Sequence, residues 1–206
     1  MSEISKIDHP SARNANATWV IRIARSFEDM AQVIAIRSAV YLSEQRCPYE
    51  EEFDGNDFCA MHLIAFRNDE PAASLRLRFF ADFAKAERLA VRAEHRNSTI
   101  AFRIVREGLK ICRRKGYRRV YGHAQDRLVN FWSRFGGRPM RDRPKLVFSD
   151  FSYTEMLFEF DPSPDAISLE STGYEIIRPE GAWDEPGVLE TSAGRKATSP
   201  NFSERR

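Results

Sequence analysis

The stretch from Lys85 to Gly116 constrains the fold of this chain more than any other. It reads K-A-E-R-L-A-V, then a short polar segment, then F-R-I-V-R-E-G-L-K-I-C-R-R-K-G. Alternation predicts a strand over residues 85–91, and apolar residues at helical spacing predict a helix over residues 99–115. Ser98 and Thr99 are both good N-cap residues. The sequence therefore predicts a strand that leads directly into a helix.

The start of that helix is suited to binding an anion. A strand that leads straight into a helix leaves backbone N–H groups free in the first turn, and the helix dipole adds positive partial charge there. One helix face carries small residues such as Gly108 and Cys112. We therefore expect this face to lie close to a sheet.

Periodicity along the rest of the chain predicts the fold class. Further strands are expected at residues 19–24, 61–66, 72–80 and 119–124, with a strand pair or one bulged strand from 145 to 160, and further helices at 26–45 and 126–135. Neighbouring hairpins and one parallel crossover predict an α/β (α+β) fold. Its mixed, mostly antiparallel central sheet is flanked by helices.

The chain divides into three parts by composition. Residues 1–17 are polar and aperiodic, which predicts a flexible N-terminal tail. The periodic pattern over residues 18–160 predicts one domain. Residues 161–206 are rich in proline, serine, glycine and glutamate, which predicts a largely irregular extension. Within it, residues 174–177 could add a strand or an interface contact.

Composition limits the class of protein. The 206 residues carry a formal net charge of +2, three cysteines and four scattered histidines. No C-x-x-C or H-E-x-x-H pattern occurs, so no metal site is expected. No apolar run is long enough to span a bilayer, and the N-terminus lacks the layout of a secretion signal. We expect reduced thiols and a cytoplasmic location without membrane contact.

Charge is distributed unevenly. Acids crowd one loop, at Glu50, Glu51, Glu52, Asp54 and Asp57. They either form a solvated surface or attract a cationic amine. A basic segment further along suits nucleic acid or the phosphates of a coenzyme. Nucleic acid is disfavoured because few aromatic residues interleave these charges.

Two sequence patterns resemble the GNAT superfamily of acyl-CoA-dependent N-acyltransferases. The segment Arg96-Asn97-Ser98-Thr99-Ile100-Ala101 resembles its motif R/Q-x-x-G-x-G/A, with Thr99 in place of glycine. The pattern E-Q-x-C-P-Y, followed by D-x-x-D and a strand that begins near His62, resembles a bacterial subgroup. In that subgroup the acidic loop borders the acceptor pocket, which implies substrate-binding roles for Glu52, Asp54 and Asp57.

The resemblance also implies a site for the acyl donor. It assigns binding of acetyl-CoA to the backbone of Leu89, Ala90 and Val91 and to the turn Arg96–Ala101. Arg96 is expected to contact the pyrophosphate, and Asn130 is a candidate contact for the pantetheine arm. Phe131-Trp132 resembles a family F-Y pair, and Trp132 replaces a tyrosine that often protonates the leaving thiolate.

Glu87 is the candidate general base, and its surroundings depend on strand alternation. Uninterrupted alternation places Glu87 on the face of Leu89 and Val91, where an apolar setting would favour a general base. A bulge would reverse that face, and pairing with Arg76 or Arg78 is the competing interpretation. A base acting through water would make Glu87 dispensable. Tyr153 and His123 are the candidates for the general acid.

The resemblance implies an N-acyltransferase that passes acetyl from acetyl-CoA to a primary amine of a small molecule or peptide. One alternative is an acyl-CoA-binding sensor with weakened catalysis, which Thr99 and Trp132 would favour. Another is a longer-chain enzyme of the acyl-homoserine-lactone synthase type. The sequence leaves a homodimer open.

Overall fold

A computed structural model describes residues 18–199 of the chain. The strands are β1 (Trp19–Ile23), β2 (Met61–Arg67), β3 (Glu70–Phe79), β4 (Ala84–Val91), β5 (Arg119–Gln125), β6 (Arg138–Pro139), β7 (Leu146–Phe148) and β8 (Phe151–Glu159). The helices are α1 (Phe27–Arg37), α2 (Tyr49–Glu52), α3 (Ile100–Arg114), α4 (Val129–Ser133) and α5 (Gly173–Ile176). The predicted N-terminal tail, residues 1–17, lies outside the described residues.

The strands form one mixed sheet with the order β1-β2-β3-β4-β5-β8-β6, and β7 also pairs with β8. All pairs are antiparallel except β4 with β5. Helix α1 packs on one face with its own apolar cluster, and α3 packs on the other face over the main core. The predicted fold class, a mostly antiparallel sheet flanked by helices, is confirmed.

The first helix begins as its sequence predicts and ends differently. The Ser26 side chain accepts a hydrogen bond from the Asp29 N–H at 3.2 Å, which caps the helix. The α-helix stops at Arg37 and continues as a π-helix over Ser38–Glu44. This wider helix changes which side chains face the sheet, and π-helical turns are common at functional sites.

Strand β4 separates from β5 halfway along its length. The parallel pairing joins only Ala84–Ala86 to Val120–Gly122. Just beyond this point the register between β3 and β4 shifts, and Arg88 has a φ of +53°, which marks a bulge. Within the described residues, the second half of β4 therefore has no strand partner on its β5 side, and a cleft opens there.

Helix α3 lies close to the sheet because one face is small. A Cβ added at Gly108 would lie 2.6 Å from Leu75 Cδ2, so a larger residue would require the Leu75 side chain or the helix to shift. The helix ends as expected, with Gly116 at a φ of +90° just past the last turn.

The segment after β8 packs against the end of α3, and Trp183 is its buried aromatic contact. Trp183 is only 6% exposed and belongs to the main core. Arg114 lies over its ring at 5.1 Å. The strand considered for residues 174–177 does not form. The Thr172–Glu175 capping box instead starts the short helix α5.

No helix within residues 18–199 is long and apolar enough to cross a bilayer.

Candidate active site

Two adjoining cavities follow the separation of β4 from β5. The outer cavity, of about 410 Å³, lies at the start of α3 and is lined by Val40, Glu44, Gln45, Leu89, Val91, Arg96, Ser98, Ala101, Phe102, Arg127, Leu128 and Phe131. The inner cavity, of about 370 Å³, is lined by Tyr41, Gln45, Glu51, Asp54, Lys85, Ala86, Glu87, Arg88, Leu89, His123, Gln125, Arg127, Leu128, Trp132, Phe148 and Tyr153. Four residues line both cavities, so the two cavities are adjacent.

The outer cavity offers donors for an anion. Ser98 Oγ accepts a hydrogen bond from the Ile100 N–H at 3.3 Å. Among residues 18–199, the next two N–H groups, of Ala101 and Phe102, have no acceptor. Arg127, also without a carboxylate partner in that range, lines the same cavity. These groups fit a phosphate or diphosphate at the positive end of a 15-residue helix.

Two other residues of the predicted donor site, Arg96 and Thr99, already have hydrogen-bond partners within the chain. Arg96 lines the outer cavity, but its guanidinium already contacts Glu44 Oε2 at 2.5 Å and the Val91 carbonyl at 3.0 Å. Thr99 has a φ of −84°, so it avoids the left-handed region that would favour glycine. Its hydroxyl accepts a hydrogen bond from Arg103.

Of the other residues predicted to contact the acyl donor, some line the outer cavity and some do not. Leu89 and Val91 line the outer cavity, whereas the Ala90 side chain is buried against α1. Ile100 is fully buried in the core, and Asn97 is exposed. Ile100 and Asn97 line neither cavity.

Asn130 is exposed and lines neither cavity, whereas Arg127 lines both. The predicted helix over 126–135 is in fact a 3₁₀ turn over Asp126–Leu128 followed by α4. Because a 3₁₀ turn has three residues per turn, it changes the rotation at which later side chains project. This change explains why Asn130 points away from the cavities.

Three of the five acids predicted to form an acidic lip, Glu52, Asp54 and Asp57, belong to an internal ion-pair cluster. Its members are Arg37, Glu52, Asp54, Asp57, Arg76, Lys85, Glu87 and Arg88. With Arg78, which lies 3.9 Å from Glu87, four carboxylates face five cations. The side chains of Arg37, Glu52 and Arg76 are completely buried. Carboxylates that are paired with at least as many cations attract a cationic amine far less than five free acids would.

Short contacts hold the cluster together. Arg76 donates two hydrogen bonds to Asp54, at 2.8 and 2.5 Å, and one to Asp57 at 2.8 Å. Burial alone would raise the pKa of Asp54, but the bonds from Arg76 lower it well below its usual range. Burial raises the pKa of Glu52, and the charges of Arg37 and Arg88 oppose that rise.

Glu87 belongs to this cluster and not to an apolar setting. The bulge at Arg88 puts it on the face of Arg76, opposite to the face of Leu89 and Val91, so the placement from uninterrupted alternation is wrong. Its Oε1 lies 2.9 Å from Arg76, and its Oε2 lies 2.6 Å from Lys85. Both oxygens are therefore engaged, as the competing interpretation for this residue expects.

One face of β5 and β8 carries hydrogen-bonded groups, and three of them, His123, Gln125 and Tyr153, form the opposite wall of the inner cavity. This polar stripe consists of Tyr121, His123, Gln125, Tyr153 and Glu155, which share a face because residues two apart on a strand do so and because His123 pairs with Glu155 and Gln125 with Tyr153. The Tyr121 hydroxyl lies 2.6 Å from both His123 Nε2 and Glu155 Oε1. The stripe thus links His123 to a carboxylate.

Both candidates for the general acid line the inner cavity. Burial raises the pKa of the Tyr153 hydroxyl, so it keeps its proton at neutral pH. Burial lowers the pKa of His123, Lys85 adds to this effect, and Glu155 opposes it. His123 is therefore mostly neutral at pH 7 and can accept a proton.

Trp132 also lines the inner cavity but is a core residue, with 8% of its surface exposed. Its ring meets Phe158 edge to face at 6.0 Å. Within residues 18–199, no group of His, Cys, Asp and Glu is arranged to hold a metal ion.

A strand pair that opens beside a helix N-terminus, with a polar cavity beyond, defines an acyl-CoA N-acyltransferase fold. The chain belongs to the acetyltransferase (GNAT) family, whose model matches residues 29–136. YjcF of Bacillus subtilis strain 168, described as an uncharacterised N-acetyltransferase, is 26% identical over 124 residues, covering 60% of this chain and 89% of the relative.

Two solved structures extend the comparison. The ElaA protein of Escherichia coli strain K12 is 28% identical over 123 residues, covering 57% of this chain and 80% of ElaA. The E. coli ElaA crystal structure has a TM-score of 0.61 at 24% identity, covering 69% and 99% of the two chains. The PaiA N-acetyltransferase of Thermoplasma acidophilum, solved in complex with coenzyme A, has a TM-score of 0.53 at 17% identity, covering 69% and 99%. At these identities the two structures establish the shared fold.

Sequence reasoning missed several residues of the site. Alternation along β5 places Gln125 and Tyr121 on the face of His123, and this signal could have identified both. Tyr41 has no such signal. It is on the apolar face of the predicted helix, and only the π-helix brings its hydroxyl within 2.8 Å of the Leu89 carbonyl.

Proposed function

We propose that this chain is an N-acyltransferase that passes an acyl group, acetyl in the simplest case, from acyl-CoA to a primary amine. The observation that carries this proposal is that the two cavities adjoin, with four shared lining residues, where β4 separates from β5. A thioester that enters from the start of α3 would reach the polar stripe. The amine acceptor, on a small molecule or a peptide, would approach from the inner cavity.

The outer cavity fits the diphosphate end of the donor. The free N–H groups of Ala101 and Phe102 are suitable donors, and Arg127 adds a charge that no carboxylate within residues 18–199 neutralises. Arg96 supports the same site if a phosphate replaces Glu44 as its partner. The carbonyls of Leu89 and Val91 already accept hydrogen bonds, so a pantetheine arm along β4 would add to or replace these bonds.

The inner cavity fits the chemical step. Acyl transfer requires a neutral amine and a proton for the departing thiolate. His123 is a suitable acceptor for the first proton, and Tyr153 is a suitable donor for the second because burial keeps its hydroxyl protonated. Free thiols at Cys47, Cys59 and Cys112 support a reducing location, which is the cytoplasm in our proposal.

A charge introduced at the helix start tests the donor site. Ala101→Asp places a carboxylate in the first turn of α3, where it suits the helix itself but repels a phosphate. Lys110→Gln makes the same change of charge further along α3, at a side chain 62% exposed. Thermal melts with acetyl-CoA, a longer acyl-CoA and free CoA should show a rise in Tm that Ala101→Asp loses and Lys110→Gln keeps.

Release of the CoA thiol in the presence of a panel of amines tests the reaction itself. We expect release that depends on both the acyl-CoA and the amine. The proposal fails if no acyl-CoA raises the Tm and no amine causes thiol release. Binding without transfer would support the sensor alternative, and a preference for a long acyl chain would support the synthase alternative.

A further inference from the structure

The hydrogen bonds of the polar stripe fix which nitrogen of His123 carries its proton. Tyr121 has a single hydroxyl proton and two neighbours, Glu155 Oε1 and His123 Nε2, each at 2.6 Å. A carboxylate can only accept, so the hydroxyl donates to Glu155. The oxygen of Tyr121 is then the acceptor, and His123 Nε2 must carry the hydrogen that it donates to that oxygen.

The other ring nitrogen is thereby left with its lone pair. Among residues 18–199, His123 Nδ1 has no hydrogen-bond partner, and the residue lines the inner cavity. We propose that Glu155 and Tyr121 are positioning residues that hold His123 as the Nε2–H tautomer, so that Nδ1 takes the proton from the acceptor ammonium. This inference rests on the proposed function, and it assigns His123 the role of base.

The proton balance of the step is complete. His123 Nδ1 takes one proton from the ammonium, and the freed amine forms the N–C bond to the acyl carbon. The C–S bond breaks with its electron pair on sulfur. The nitrogen loses two protons in all, of which one ends on the thiolate and one in solvent.

The charges around His123 agree with this role. Lys85 and Arg88 of β4 face it and lower its pKa, while Glu87 of β4 and Glu155 of β8 raise it. Phe148 of β7 meets its ring edge to face at 6.0 Å and carries no charge. Of these groups, Glu155 alone also acts through Tyr121. When Nδ1 gains a proton, the carboxylate stabilises the resulting imidazolium through that hydroxyl.

Two substitutions of Glu155 separate its hydrogen bond from its charge. In Glu155→Leu the Tyr121 hydroxyl loses its acceptor and must donate to His123 Nε2, which moves the ring proton to Nδ1. In Glu155→Gln the amide oxygen still accepts from Tyr121, so the tautomer is kept while the charge is lost. The matched control is Glu159→Leu, because Glu159 is on the same face of β8 and contacts Arg138 instead.

The tautomer is measured by long-range ¹⁵N–¹H NMR correlations of the His123 ring, which need no substrate. We expect Nε2–H in the wild type, in Glu155→Gln and in Glu159→Leu, and a shift towards Nδ1–H in Glu155→Leu.

Steady-state kinetics should show a fall in kcat/KM of about 10- to 100-fold in Glu155→Leu and a smaller fall in Glu155→Gln. In Glu155→Gln the acid limb of the pH profile should move to lower pH, because a charge that raises the pKa of His123 is gone.

Each result either supports or overturns the assignment. An Nδ1–H tautomer in the wild type overturns it, and so does a switched tautomer in Glu155→Leu with unchanged kcat/KM. A loss of activity shared by Glu159→Leu would also contradict it. Absence of thiol release from the wild type with every amine would defeat the proposed function and the proton transfer built on it, while the NMR result still decides whether Glu155 and Tyr121 fix the tautomer.

Discussion

The two walls of the inner cavity are both polar, but ion pairs hold one of them and single hydrogen bonds hold the other. On the β3–β4 side, the ion-pair cluster engages its carboxylates, and burial fixes Arg37, Glu52 and Arg76 in place. On the β5–β8 side, single hydrogen bonds join Tyr121 to His123 and Glu155, and within residues 18–199 His123 Nδ1 has no hydrogen-bond partner. Charges that are paired with one another hold the backbone in position, whereas a ring nitrogen without a partner can act on a ligand.

The position of the cluster explains what it holds. Arg88 is at the bulge of β4, and its guanidinium contacts the Glu51 carbonyl and lies 3.3 Å from Glu52 Oε2. Arg37 ends α1 and contacts Glu52 and Asp57. The cluster therefore ties α1 and the acidic loop to the bulge, and the bulge is where β4 separates from β5. If this comparison is right, the cluster side should respond to mutation in stability and the stripe side in catalysis.

The largest effect is expected at Glu52. Glu52→Ala leaves the completely buried Arg37 with Asp57 as its remaining acid partner, so we expect a loss of about 3–5 kcal/mol in the free energy of unfolding. For a chain of this size that corresponds to a fall in Tm of about 10 °C. Glu50→Ala, an exposed residue of the same short helix, is the control and should change the Tm little. A Glu52→Ala protein that melts near the wild type would contradict a structural role for the cluster.

A smaller and pH-dependent effect is expected at Asp54. The pKa of its carboxyl is lowered in the folded state, below the unfolded value of about 3.9, so the unfolded chain binds more protons as the pH falls. The stability that Asp54 contributes is present above that unfolded value and is lost as the pH falls through the folded one. Asp54→Asn should therefore lower the Tm by about 4–8 °C at pH 7, and the gap to the wild type should narrow towards pH 3.

Asp69→Asn is the matched control for this pH series. Asp69 is in the exposed turn between β2 and β3 with a φ of +67°, a conformation that asparagine also tolerates. Its variant removes the same charge away from the cluster, so its gap to the wild type should be small at every pH. A gap for Asp54→Asn that stays constant from pH 7 to pH 3 would mean that its ion pairs with Arg76 and Arg88 do not stabilise the fold.

The elements of this fold could be predicted because each depends on local signals. Alternation identified the strands, and Ser26 and Gly116 marked helix ends that the structure confirms. Local signals could not predict the direction in which side chains point after a bulge or an irregular turn. The bulge at Arg88 reversed the face of Glu87, and the 3₁₀ turn before α4 brought Arg127 to the cavities instead of Asn130.

The ion pairs of the site were harder to predict, because a charged residue in a sequence does not show which oppositely charged residue it will contact. Glu52 and Asp54 appear as a run of acids, and only the folded chain brings Arg37 and Arg76 against them across 15 and 22 residues. The carboxylate next to His123 could not be inferred either, since Glu155 lies 32 positions away in sequence and pairs with it only through the β5–β8 register.

The smallest expected effect tests what remains of the acidic lip. Glu51 lines the inner cavity, and within residues 18–199 its carboxylate contacts the Ser149 hydroxyl at 2.5 Å but no cation. Its charge is therefore free to attract a cationic acceptor.

Glu51→Gln should raise KM for a diamine about 2- to 5-fold and leave kcat and Tm nearly unchanged, because an exposed charge acts mainly on the encounter with the substrate. The effect on KM should disappear at high salt, which screens the charge. Glu50→Gln, exposed but outside the cavity lining, should change KM less. If Asp54→Asn raised KM more than Glu51→Gln while melting like the wild type, the paired acids would be attracting the substrate, and the division between a structural wall and a chemical wall would be wrong.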